Sequence, residues 1–136
     1  MFRIDPLSRQ PVYEQLIDQL ERFVLLDLMP ADTQLPSVRS LSLELTINPN
    51  TIQKAYSELD TRGIIRSVPG IGCFVTQDAK QLLTEHKRRK LTSLRALASE
   101  LLMAGIPKED LLETIDSVYS QGGTTDDPST KPDQTV

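Results

Sequence analysis

Residues 35–63 read LPSVRSLSLELTINPNTIQKAYSELDTRG, and this stretch decides the fold. Ser37 precedes Val38, where its hydroxyl can accept an otherwise orphan backbone N–H. A helix is therefore expected from Val38 to about Leu45. Leu41 and Leu45 lie four residues apart and share its inner face. Thr46 and Ile47 form a short break. Asn48 and Pro49 then open a second helix, with Asn48 as N-cap and Pro49 in the first turn, where a missing N–H does no harm. This helix is expected to reach about Arg62. Its buried stripe is Ile52, Ala55, Tyr56 and Leu59, and Gly63 is the left-handed stop. Two helices joined by so short a break match helix-turn-helix geometry.

Upstream, Pro11 to Leu28 carries Val12, Leu16, Leu20 and Phe23 or Val24 at helical spacing, with Ile17 beside them, and Pro30 ends it. Downstream, Ile64–Val68 is rich in branched residues and reads as a strand. Pro69-Gly70-Ile71-Gly72 is a turn and Cys73–Thr76 the return strand. Long helix, short helix, capped helix and hairpin are the order of a winged helix-turn-helix. The expected fold class is mostly α with a small β-hairpin, over residues 1–77.

From Asp78, a second helical region is expected from Ala79 to about Met103. Gly105-Ile106-Pro107 interrupts it, and a last helix runs from Lys108 to Tyr119. Residues 78–121 form a short helical segment with Leu91, Leu94, Ala98 and Leu101, then Leu111, Leu112 and Ile115, on its apolar stripes. These exceed what one helical hairpin can hide, so they are assigned to a homodimer interface. Residues 122–136 have almost nothing to bury and are expected to be disordered.

Composition narrows the function. With 25% charged and 38% apolar residues the chain fits a globular protein, and no run approaches the roughly 20 apolar residues of a membrane span. The start lacks a secretory pattern, and the single cysteine, Cys73, has no internal partner, so a cytoplasmic location is expected. Net charge is -4, and up to Asp78 there are 7 Lys and Arg against 10 Asp and Glu. DNA binding must then rest on a few placed cations, backbone amides and dimerisation rather than on a broad basic surface.

An enzyme would need a nucleophile with its base, a metal cluster or a phosphate loop. One histidine, His86, and one cysteine without supporting groups provide none of these, so no catalytic residue, metal or cofactor is assigned. The basic run Lys87–Lys90 is read as a solvated helix face rather than as a phosphate contact.

In a helix-turn-helix the N-terminal residues of the second helix face base edges in the major groove. Here these are Pro49, Asn50, Thr51, Gln53 and Lys54. Asn and Gln pair bidentately with adenine, and a Thr methyl meets a thymine methyl. The hairpin tip, Gly70-Ile71-Gly72, has two residues without a side chain, which permits close approach of backbone to DNA.

The combination resembles the GntR superfamily. Pro11-Val-Tyr-Glu-Gln-Leu16, Leu35-Pro-Ser-Val-Arg-Ser-Leu41, Asn48-Pro-Asn-Thr-Ile-Gln-Lys-Ala-Tyr56, Gly63-Ile-Ile65 and Gly70-Ile-Gly72-Cys-Phe-Val75 carry the likeness over about residues 9–77. The short C-terminal segment resembles the YtrA subfamily. The resemblance implies that Arg39 contacts phosphates or a base at the groove entrance. It also implies that Ser37 caps its helix and touches a phosphate, and that Gly70 and Gly72 bring the wing to the minor groove. Asp27 and Ala31 stand where family members commonly carry glycines.

The function so implied is a dimeric repressor that binds double-stranded DNA at a palindromic operator of a transporter operon. A small-molecule effector would have to bind between protomers, because roughly forty residues of two-helix segment leave little room for a closed pocket of a few hundred Å³. The competing reading is a winged helix used for protein–protein contact. The acidic balance favours it, but polar Asn50, Thr51 and Gln53 do not suit the core of such an interface.

Overall fold

A computed structural model describes residues 1–122. Apart from Gly122, the tail expected to be disordered lies outside the described residues. The chain divides into two compact units, one from Met1 to Arg88 and one starting at Arg89. The first contains α1 (Val12–Leu25), α2 (Val38–Leu45), α3 (Pro49–Thr61), β1 (Ile65–Val68), β2 (Gly72–Val75) and α4 (Ala79–Arg88). The second contains α5 (Leu91–Met103) and α6 (Lys108–Ser120).

In the first unit, α3 is central: it packs on α1, on α2 and on β1, while α4 packs on α1. Leu16, Leu20 and Val24 of α1 meet Leu41 of α2 and Ile52, Ala55 and Leu59 of α3 in one core, closed by Ile65, Val75, Ala79 and Leu83. Burying each large aliphatic side chain contributes about 1.5–3 kcal/mol, which makes this shared core the main stabilising element. The residues before α1 belong to it as well. Phe2 is buried with its ring edge-on to Phe23, 5.3 Å between centroids. The buried Gln15 side chain bonds the Asp5 amide at 2.9 Å and the Asp5 and Gln10 carbonyls at 3.1 and 3.0 Å. Nothing periodic marks this arm, because it is held by side chains of α1 and not by its own pattern.

The first helix ends at Leu25 rather than at Leu28. Asp27 adopts φ 62°, and the Leu28 and Asp27 amides turn back to the Phe23 and Val24 carbonyls at 2.8 and 3.1 Å. This double closure around a left-handed residue satisfies the last carbonyls of the helix. A glycine would hold this conformation without strain. Here Asp27 holds the conformation while its carboxylate pairs with Lys80 of α4 at 2.9 Å. In the next turn the left-handed residue is Asp32, φ 70°, and not Ala31.

After that turn the chain runs along the outer edge of β2. The Asp32 and Leu35 amides donate to the Val75 and Cys73 carbonyls, both at 2.8 Å, and Val75 donates back to Thr33 at 2.9 Å. The hairpin pairs Ile65 with Val75 and Val68 with Gly72, antiparallel. Its turn has Pro69 second and Gly70 third, φ 77°, closed by an Ile71-to-Val68 bond of 2.9 Å. That is the residue pattern a type II turn requires.

The helical region expected to be continuous from Ala79 to Met103 breaks at Arg89 and Lys90. His86, Lys87 and Arg88 therefore fall in the last turn of α4, where cations oppose the negative helix end. Because Ala79 and Leu83 are buried in the first unit, the domain boundary expected after residue 77 lies after Arg88 instead. The basic run accordingly is not one solvated helix face. Lys87 reaches the buried carboxylate of Glu21 at 3.4 Å.

Candidate nucleic-acid interface

The geometry of the α2–α3 pair is held by side chains within it. Ser37 accepts from the Ser40 amide at 3.0 Å and so caps α2. Asn48 accepts from the Asn50 amide at 2.8 Å and caps α3, with Pro49 in the first turn. Between the helices Thr46 is left-handed, φ 56°, which is uncommon for a β-branched residue. Ser42 bridges this turn, its hydroxyl donating to the Ile47 carbonyl at 2.7 Å while its own carbonyl accepts from the Ile47 amide at 3.2 Å. The Tyr56 hydroxyl donates to the Pro36 carbonyl at 2.7 Å, tying α3 to the entrance of α2. Burial pushes the Tyr56 phenol well above its ordinary pKa, with Cys73 adding to the rise, so it remains a donor.

These bonds set out the residues singled out from the sequence. Pro49, Asn50, Gln53 and Lys54 are exposed on the first turns of α3, and Thr51 is half-buried. Opposite them on the same helix, Ile52, Ala55, Tyr56 and Leu59 are buried. Gln53 donates along the helix to Ser57 at 3.2 Å, a contact between two exposed side chains. Arg39, the second residue of α2, is exposed, and among the described residues its guanidinium has no hydrogen bond or ion pair. Ser37 and Asn48 are exposed as well, but their side-chain oxygens are engaged as caps.

The hairpin tip is exposed at Gly70 and Ile71 and half-buried at Gly72. Gln34 holds it from below: its Nε2 donates to the Ile71 carbonyl at 3.0 Å. Gly72 has φ 143°, and a Cβ there would lie 2.6 Å from that same nitrogen. The backbone conformation favours glycine, and a methyl group there would displace the Gln34 amide from the Ile71 carbonyl. On β1, Arg66 lies over the Phe74 ring at 5.3 Å and 3.5 Å from Asp32.

Two residues near this surface escaped sequence reasoning. Gln34 is one. The other is Tyr13 of α1, whose ring carries the Lys54 ammonium 3.9 Å from its centroid. Both contacts join positions far apart in the chain, and no local spacing announces them.

In the second unit no residue of α5 or α6 is buried. Leu91, Leu94, Leu112 and Ile115 are exposed, and Ala98, Leu101 and Leu111 are half-buried. Together they line an apolar groove of about 670 Å³ between the two helices. It is an open groove, not a closed pocket, which is what the shortness of the segment leaves room for. Among the described residues no group of His, Cys, Asp or Glu suits a metal ion, and no helix is long and apolar enough to cross a membrane.

A core of three helices closed by a hairpin, with a doubly capped helix pair in front, defines a winged helix-turn-helix protein. Residues 12–75 match the bacterial regulatory proteins of the gntR family. The chain is 38% identical over 130 residues to the HTH-type transcriptional repressor YtrA of Bacillus subtilis, covering 93% of this chain and all of that protein. It is 36% identical over 119 residues to the regulator YhcF of the same organism, 85% of this chain and 95% of that one. A transcriptional regulator from Oenococcus oeni superposes with TM-score 0.69 at 34% identity, covering 85% of this chain and 97% of its own. YtrA from Sulfolobus acidocaldarius superposes with TM-score 0.57 at 29% identity, covering 71% and 97%. The chain belongs to the gntR family and is a transcription regulator of the YtrA kind, not an enzyme.

Proposed function

We propose that this chain is a sequence-specific repressor that binds a palindromic operator as a homodimer, with α3 in the major groove and the hairpin tip at the minor groove. The observation that carries the reading is the split of α3: an apolar inner face locked to α1 and α2, and a polar start with Asn50 and Gln53 turned to solvent and Thr51 half-buried beside them. Arg39 and Lys54 supply phosphate or base contacts. The exposed stripe Leu91, Leu94, Leu112 and Ile115 pairs two copies, which sets two recognition helices about one DNA turn apart. Repression follows the likeness to the Bacillus subtilis repressor. The target is a neighbouring transporter operon, and an effector would act between protomers.

Mobility-shift titration of the full chain on its own promoter region, across a salt series, tests this. Affinity that falls steeply with salt and survives an excess of unrelated duplex supports the reading. Binding that is equal on all duplexes, or absent, contradicts it.

A further inference from the structure

The Lys54–Tyr13 contact carries an inference that rests on the reading of α3 as the DNA-recognition helix. We propose that Tyr13 is a positioning residue that holds Lys54 through its ring, so that the ammonium meets a phosphate at the groove edge and does not read a base.

Lys54 follows Gln53 on the exposed side of α3, yet its side chain leans back to α1, with Nζ 3.9 Å from the centre of the Tyr13 ring. At that distance the ring face attracts the cation. An ammonium so held is no longer a freely swinging point charge. A lysine tail loses much rotamer freedom when it makes a contact, and here most of that loss has occurred before DNA arrives. One side of the ammonium faces the ring. The remaining N–H groups stay available to an anion, because no carboxylate lies within ion-pair distance of Lys54 among the described residues. A base edge needs a donor placed by its own helix, as Gln53 is, and Lys54 is instead drawn toward α1.

The ring rather than the hydroxyl does this. The Tyr13 hydroxyl is 3.3 Å from the Glu14 carboxylate and donates to it, and a carboxylate there repels a phosphate. Tyr13 is itself half-buried between α1 and the core, so its ring does not swing with the lysine.

The test measures operator affinity of the full chain against salt for Tyr13→Phe, Tyr13→Leu, Lys54→Met and the Tyr13→Leu/Lys54→Met pair. Thermal unfolding of each shows that the fold is kept. Lys54→Met is expected to weaken binding to all sequences alike and to lower the salt slope by about 0.9 per protomer. Tyr13→Phe is expected to bind as the unsubstituted chain, because phenylalanine keeps the ring face. Tyr13→Leu is expected to lose roughly three- to fivefold per protomer, and to lose nothing further once Lys54 is Met. Three results would overturn the proposal: equal losses for Tyr13→Phe and Tyr13→Leu, additive losses in the pair, or tighter binding by Tyr13→Leu. If the unsubstituted chain binds no operator, the DNA reading itself fails and the proposal falls with it.

Discussion

Single residues set the shape and the reading of the exposed face. Gly72 combines a left-handed backbone with a close neighbour, the Gln34 side-chain amide, which a methyl group would push off the Ile71 carbonyl. Gly72→Ala is expected to destabilise the chain by about 1–3 kcal/mol in chemical unfolding. Adding Gln34→Ala removes the clash but not the backbone strain, so it should recover only part of the loss; full recovery or none contradicts this account. Arg39 and Gln53 differ in a way that mutation can expose. Arg39, exposed and without a partner among the described residues, suits a phosphate, so Arg39→Ala should weaken binding to every sequence. Gln53→Ala should cost about 1–3 kcal/mol and relax specificity at one base position. A binding profile across operator variants separates the two, and unchanged binding by both would sink the docking of α3.

Elements are joined here by a buried charge as well as by the core. Glu21 of α1 is 4% exposed and takes Arg62 from the end of α3 at 3.0 Å and Lys87 from the end of α4 at 3.4 Å. Arg62→Ala leaves that carboxylate buried with Lys87 as its one remaining cation and should cost about 1–3 kcal/mol, whereas Glu21→Leu, which removes the buried charge, should cost less. The reverse order in denaturant titrations would show that the charge itself stabilises the helix junction. The helices that sequence reasoning placed best are those with local signals. Ser37, Asn48 with Pro49, and Gly63 each announce a helix end within a few residues, and α2 and α3 begin and end within one residue of expectation. What was not legible depends on distant partners: the docking of Phe2 on Phe23, the Gln34 clamp on the wing, and Tyr13 under Lys54. The break after Arg88 was also hidden. The basic run looks the same whether or not the helix continues, and it is the burial of Ala79 and Leu83 that ties α4 to the first unit. For the candidate interface, the residue types and the capping oxygens of Ser37 and Asn48 were legible, but the contacts that Tyr13 and Gln34 make were not.

The whole molecule divides between a unit that closes its own core and a segment that buries nothing by itself. At net charge -4, a single copy has few cations to hold on DNA, so joining two copies raises the effective concentration of the second recognition helix. Leu94→Asp in the open stripe should therefore leave the winged-helix unit folded, turn a dimer into a monomer in sedimentation, and weaken operator binding by at least roughly tenfold. A variant that stays dimeric with full affinity would move the interface elsewhere. The central claim, that two copies read a two-fold symmetric sequence through α3, meets its most direct test in selection of bound sequences from random duplex DNA with the purified full chain at moderate salt. The account predicts an inverted repeat with half-sites about one helical turn apart. A motif without two-fold symmetry, or no enrichment over background, would contradict it.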